Sequence, residues 1–208
     1  MGGKGVSYGK SCEGLMAMKE IIHERIRESI AVKEKLLEQS DVIARIAEMM
    51  ISSYQKGGKL IIFGNGGSAA DAQHIAAELV NKFEKERRSL PAIALHTNTS
   101  SVTAQSNDHG FDSVFSRQVE GFCMPGDVVV GISTSGNSAS IAEGLRVGKE
   151  KGGATVLFTG ESGGKMHGLA DIELNVPSRN TARIQESHIT AGHIICGLVE
   201  DGCSREEE

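Results

Sequence analysis

No apolar stretch in the chain approaches the ~20 residues of a membrane span, and its start lacks the apolar core of a signal peptide. The expectation is a cytoplasmic protein with no membrane contact. The four cysteines, Cys12, Cys123, Cys196 and Cys203, have neither CxxC spacing nor even placement, so they read as reduced thiols, which fits the same compartment. No Lys/Arg stripe longer than Glu84 to Arg88 (EKERR) occurs, and that run mixes signs, as a solvated helix end does. With a formal net charge of -5, the chain is not expected to bind nucleic acid. No linker divides it, and neither of its two strand-to-helix glycine turns carries the Gly-Lys-Ser/Thr ending of a nucleotide P-loop.

What is present is a globular composition of 208 residues, 39% apolar and 24% charged, enough for one domain with a sizeable core. Two segments share a plan: a short apolar run, a glycine- and hydroxyl-rich turn, then a helix-compatible stretch. They are Lys59 to Ala72 (KLIIFGNGGSAADA) and Asp127 to Glu143 (DVVVGISTSGNSASIAE). Apolar runs rich in β-branched residues and bounded by glycine read as strands buried on both faces, the pattern of a parallel sheet. Each strand then delivers its turn to the carboxyl edge, where open α/β folds bind ligands. Both turns offer backbone N–H groups at a helix start plus small hydroxyls: Ser68 in the first, and Ser133, Thr134, Ser135 and Ser138 in the second. That chemistry suits a phosphate monoester on a small molecule.

Gly64, Gly66 and Ala69 also fit a G-x-G-x-x-A dinucleotide fingerprint, which requires an acid at the end of the second strand to hold a ribose. That strand ends in Leu95-His96-Thr97, and Glu84 and Glu86 fall on the connecting helix or its end. No nucleotide cofactor is expected.

Strands are predicted at Leu60 to Phe63, Ala92 to Leu95, Val128 to Ile132, Thr155 to Phe158 and Ile172 to Val176, with helical segments between most of them. The fold class is therefore α/β: a three-layer sandwich with a five-stranded parallel sheet flanked by helices. Two helices, Met18 to Leu37 and Val42 to Tyr54, precede the sheet, either packed on it or shared with another subunit. The last, Ile184 to Glu200, is apolar on more than one face, which again hints at oligomerisation. Residues 1–16 read as a disordered leader, 17–200 as one domain (helices 18–56, sheet region 57–200), and 201–208 as a polar tail.

His74 and Glu78 stand four residues apart on the helix opened by the first glycine turn, so both side chains share one face. An imidazole and a carboxylate so placed can share a metal ion or divide proton transfers; taken alone the pair reads better as solvated or as core packing, but Ile75, Ala76, Ala77 and Leu79 leave it as the only polar positions in that stretch. A third cluster, Thr181 to His193 (TARIQESHITAGH), contains Gln185, His188 and His193. Eight residues of helix rise about 12 Å, so Gln185 and His193 of one straight helix could hardly meet at one small ion. Either the helix starts after Gln185 or a site collects them from different subunits, the second being favoured. His188 reads as a partly buried or interface histidine.

On GNGGSAADAQHIAAEL (Gly64 to Leu79), SNDHGFD (Ser106 to Asp112), STSGNS (Ser133 to Ser138) and ARIQESH (Ala182 to His188), the chain resembles the sugar isomerase (SIS) domain family. Within it, the resemblance is to bacterial phosphoheptose isomerases, from about Met18 to Val199. It implies an SIS (flavodoxin-like) sheet with N-terminal helices that build a homotetramer, and active sites at subunit interfaces. The implied reaction interconverts sedoheptulose 7-phosphate and D-glycero-D-manno-heptose 7-phosphate through an enediol, the first step towards nucleotide-activated heptose for bacterial surface polysaccharide. Ser133, Thr134, Ser135 and Ser138 match the family's phosphate loop, and Asn65, Gly66, Gly67 and Ser68 its other substrate turn. Asn107 and Asp108 match sugar-hydroxyl contacts, and Gln185 a substrate or metal contact. His74, Glu78, Gln185 and His193 correspond to a zinc ligand set, one Zn2+ per site. Glu78, also a substrate contact, and His193 match the acid/base pair.

Three other classes compete. Some SIS proteins are non-catalytic adaptors that bind the replication initiator, but they replace the positions of Glu78 and His193, and both residues stand here. An isomerase of a five- or six-carbon sugar phosphate would use the same clamp and acid/base pair. A sugar-phosphate sensor regulating transcription would need a helix-turn-helix domain ahead of the sheet, and none is recognisable.

Overall fold

The computed structural model describes residues 12–204. Strands β1 (Leu60–Gly64), β2 (Ala92–Ala94), β3 (Val128–Ser133), β4 (Ala154–Gly160) and β5 (Ile172–Val176) form one sheet in the order β2-β1-β3-β4-β5. Every neighbouring pair is parallel. Side chains alternate across the sheet with the two-residue period of a strand. Leu60 and Ile62 enter one apolar cluster, while Ile61 and Phe63 enter the other. Burial on both faces is why β1 and β3 read as unbroken apolar runs.

Helices α2 (Ser40–Gln55), α3 (Gly67–Val80) and α7 (Thr181–Ser204) cover the first face. Helices α5 (Val114–Phe122) and α6 (Ala139–Glu150) cover the second, with Val102 of α4 (Thr99–His109) packed beside them. The three-layer arrangement read from the sequence is thus present. Helix α1 (Cys12–Leu36) lies along α7 through polar contacts: Ser29 Oγ donates to Glu186 at 2.6 Å, and Arg183 Nη1 to the Arg25 carbonyl at 2.5 Å. Its Ile22, Ile26 and Ile30, at four-residue spacing, remain about half exposed (55%, 52% and 51%).

Several boundaries differ from expectation. Helix α1 begins at Cys12, so 12–16 belong to it and not to a leader; Glu13, Leu15, Met16 and Ala17 are strong helix formers that outweigh Gly14. The remainder of the expected leader, 1–11, lies outside the described residues. Helix α7 runs on to Ser204 because Gly202 packs against Ile51 and Cys203 is buried, so 201–204 are not a polar tail; 205–208 lie outside the described residues. Finally, α3 stops at Val80, and Glu84 and Glu86 stand in a loop. Arg87, expected at a solvated helix end, folds back and donates to the carbonyls of Glu78 and Leu79, both at 2.9 Å. It satisfies carbonyls that a helix end leaves without intrahelical donors.

Candidate active site

The crossover from β1 leads to β2 on one side and that from β3 leads to β4 on the other, so the sheet order reverses between β1 and β3. Such a switch point leaves a crevice at the carboxyl edge. Both glycine turns open there, and Asn65 Nδ2 ties them together by donating to Ser140 Oγ at 3.1 Å. Gly66, at φ +57, takes a left-handed conformation that glycine adopts without strain, and this turns the chain into α3.

The second turn is braced from outside. Met166 N donates to the Gly136 carbonyl and Lys165 N to Asn137 Oδ1, both at 3.1 Å. Ser133 Oγ donates to Ser138 Oγ at 3.3 Å. Among the described residues, the backbone amides of Ser138, Ala139 and Ser140 at the start of α6 have no hydrogen-bond partner. Free amides at a helix start favour an anion. Thr134 and Ser135 border a pocket of about 170 Å³ that Ser178, Thr181 and Ile184 close from the start of α7.

The decisive geometry comes from α3 and α7, which run side by side in the same direction. Gln185 stands against Gly67, Gly192 against Ile75, and Gly197 against Phe83. A Cβ on Gly67 would collide with the Gln185 amide, so glycine makes that approach possible. In this register His193 meets the His74/Glu78 face. His193 Nε2 lies 3.4 Å from His74 Nε2, which lies 3.0 Å from Glu78 Oε1. One donor atom from each of the three residues falls within 4.8 Å of the others. Phe83 stacks on His193 with ring centres 5.6 Å apart, and a groove of about 420 Å³ opens beside them.

The cluster forms within one chain and without Gln185. Gln185 and His193 share α7, so the alternative in which the helix starts after Gln185 does not hold. Asn107 and Asp108 sit at the exposed end of α4, where Asn107 Nδ2 donates to Asp108 Oδ1 at 2.9 Å; among the described residues no hydrogen bond joins them to the cluster. Ser68 and Ser133 are buried. His188 is a core residue with no exposure: Nε2 donates to the Thr159 carbonyl at 3.1 Å, and burial lowers its pKa to about 4.

Sequence reasoning passed over Asp71, Phe83 and Glu200, and took Arg87 for part of a solvated helix end. Burial lifts the Asp71 carboxyl to about 6, against the opposing pull of His74 one turn later. Its place three residues before His74 was the only available signal. Phe83, Arg87 and Glu200 lie outside every motif, and only the packing of α7 on the loop after α3 brings them together.

A family model for the SIS domain matches residues 25–160. The chain is 52% identical over 185 residues to the phosphoheptose isomerase of Aquifex aeolicus, covering 88% of this chain and 97% of that protein. It is 55% identical over 178 residues to that of a Roseiflexus species, covering 85% and 90%. The chain belongs to the phosphoheptose isomerase branch of the SIS domain family. The structure of the phosphoheptose isomerase from Neisseria gonorrhoeae superimposes with a TM-score of 0.84 at 41% identity, over 88% of this chain and 99% of that one. The phosphoheptose isomerase from Francisella tularensis does so with a TM-score of 0.86 at 35% identity, over 88% and 98%. In this SIS domain protein, the SIS sheet supplies the phosphate-type turn, and α3 with α7 supplies the ionisable cluster.

Proposed function

We propose that the protein isomerises sedoheptulose 7-phosphate and D-glycero-D-manno-heptose 7-phosphate. The observation that carries this reading is the convergence of Glu78 and His193 across α3 and α7, in a fold whose carboxyl edge carries the phosphate-type turn. Ketose–aldose isomerisation removes a proton from the carbon beside the carbonyl and returns one to the adjoining carbon through an enediol. That chemistry needs a carboxylate or imidazole on each side of the reacting carbons. Glu78 keeps Oε2 for proton transfer while Oε1 faces His74, and His193 is the partner acid or base. Ser133, Thr134, Ser135 and Ser138, with the free amides of α6, hold the phosphate; Asn65, Gly66, Gly67, Ser68, Asn107, Asp108 and Gln185 contact the sugar. Anchoring the remote phosphate lets binding energy orient the reacting end.

His74, Glu78 and His193 fit a divalent cation, since two imidazoles and a carboxylate converging within 4.8 Å are a zinc-type donor set. Bound there, zinc would supply Lewis acidity to the substrate carbonyl. Gln185 stands about 12 Å along α7 from His193, so as a fourth ligand it would come from another subunit.

The half-exposed Ile22, Ile26 and Ile30 of α1 support assembly through the N-terminal helices, and we propose a cytoplasmic homotetramer that feeds heptose to a surface polysaccharide. The substrate is tested by following aldose formation from sedoheptulose 7-phosphate beside five- and six-carbon ketose phosphates. Preference for the seven-carbon substrate is expected; preference for a shorter one would overturn the assignment. Light scattering reads the assembly, and a monomer would contradict it.

A further inference from the structure

We infer that the buried Arg87–Glu200 pair is a positioning device that sets how Glu78 and His193 face each other. Its kinetic test rests on the isomerase reading above; its metal-affinity test does not. Both side chains are 1% exposed, with Arg87 Nε 3.0 Å from Glu200 Oε1. A charge pair removed from water is costly unless its remaining hydrogen-bonding groups are satisfied, and the main gain from such a pair can be registry. Here the carboxylate and the Nη groups of the guanidinium have partners, while Arg87 Nε faces Glu200 Oε1 as an ion contact without hydrogen-bond geometry. Glu200 accepts the backbone N–H groups of Phe83 at 2.9 Å, Glu84 at 2.7 Å and Lys85 at 2.8 Å. Arg87 donates to the carbonyls of Glu78 and Leu79, both at 2.9 Å, and to that of Arg88 at 3.0 Å.

Each end of the pair leads to one member of the acid/base couple. Arg87 holds the backbone of Glu78 itself. Glu200 follows His193 by two turns on the same face of α7, and it fixes the backbone of Phe83, whose ring stacks on His193. The path therefore runs from Glu78 through Arg87, Glu200 and Phe83 to His193. Arg87 and Glu200 act on the chemistry through other residues, so a change in them should alter turnover more than phosphosugar binding.

The test compares Glu200→Gln, Arg87→Lys and Phe83→Leu with Asp127→Asn. The last weakens a half-buried ion pair, Asp127 to Lys59 at 2.6 Å, at the opposite, amino edge of the sheet. Steady-state kinetics with sedoheptulose 7-phosphate and binding of Co2+ alone, followed by its absorption, are measured on protein shown to be folded by circular dichroism. The three positioning variants should lose about tenfold to hundredfold in kcat with KM within about threefold, and bind Co2+ about tenfold more weakly. Asp127→Asn should lower Tm and leave kcat and Co2+ affinity unchanged. Phe83→Leu leaves the ion pair intact and decides the matter if Glu200→Gln does not fold. Retained kcat and Co2+ affinity in the folded positioning variants, or an equal loss in Asp127→Asn, would overturn the inference. If wild type does not isomerise the sugar, the functional reading fails and Co2+ affinity alone decides. If wild type neither isomerises nor binds Co2+, the positioning role falls with it.

Discussion

His74 Nε2 and His193 Nε2 lie 3.4 Å apart although 119 residues separate them in the chain. With Glu78 Oε1 3.0 Å from His74, the two imidazole nitrogens complete a set of three converging ligand atoms of the kind that holds a divalent cation. Removing metal with a strong chelator should therefore suppress turnover, and zinc should restore it. His74→Ala should weaken zinc binding by about tenfold to hundredfold in a competition titration with a chromophoric chelator. Full activity in metal-free protein would show that the cluster works by proton transfer alone.

The Glu78–His193 pairing is made inside one chain. Mixing inactive Glu78→Gln and His193→Ala proteins should accordingly leave turnover absent even after confirmed subunit exchange. Restored activity would mean that the two residues act across a subunit boundary.

Gly67→Ala should displace the Gln185 side chain, because the new methyl group would occupy its amide's space. Position 67 opens α3, where alanine is otherwise favoured, so Tm should change little. A loss of about tenfold in kcat/KM with unchanged Tm is expected. Unchanged kcat/KM would remove Gln185 from the sugar contacts.

His188 should make stability depend on pH. Its folded-state pKa of about 4 lies below the ordinary histidine value, so between about 6.5 and 4 the unfolded chain binds a proton that the folded one does not. Stability from this group is fully present above pH 6.5 and declines as pH falls to about 4, by roughly 3 kcal/mol. Urea titrations of wild type and His188→Gln across that range check the sign, and the variant should show a shallower slope. Equal slopes would mean that His188 does not titrate between those limits.

The strands were legible because burial on both faces demands the unbroken apolar runs seen in LIIFG and VVVGIS. The turns were legible because a helix start offering N–H groups beside small hydroxyls has a local signature, and the His74/Glu78 face follows from helical spacing. His193 was visible as a candidate, and the resemblance grouped it with them. Its meeting with His74 depends on the parallel register of α7 on α3, a packing set by Gly67, Gly192 and Gly197 far apart in sequence. Arg87 was misread because a mixed-charge run ordinarily faces solvent, and its buried partner Glu200 lies on another element. Helix ends were drawn too short where tertiary contacts such as Gly202 on Ile51 carry the helix past its sequence signal.

The most direct measurement is aldose formation from sedoheptulose 7-phosphate by the zinc-supplied protein, with Glu78→Gln beside wild type. The account predicts turnover by wild type and a loss of about a hundredfold or more in the folded variant, with phosphosugar binding retained. No turnover by folded, metal-loaded wild type, or undiminished turnover by Glu78→Gln, would contradict it.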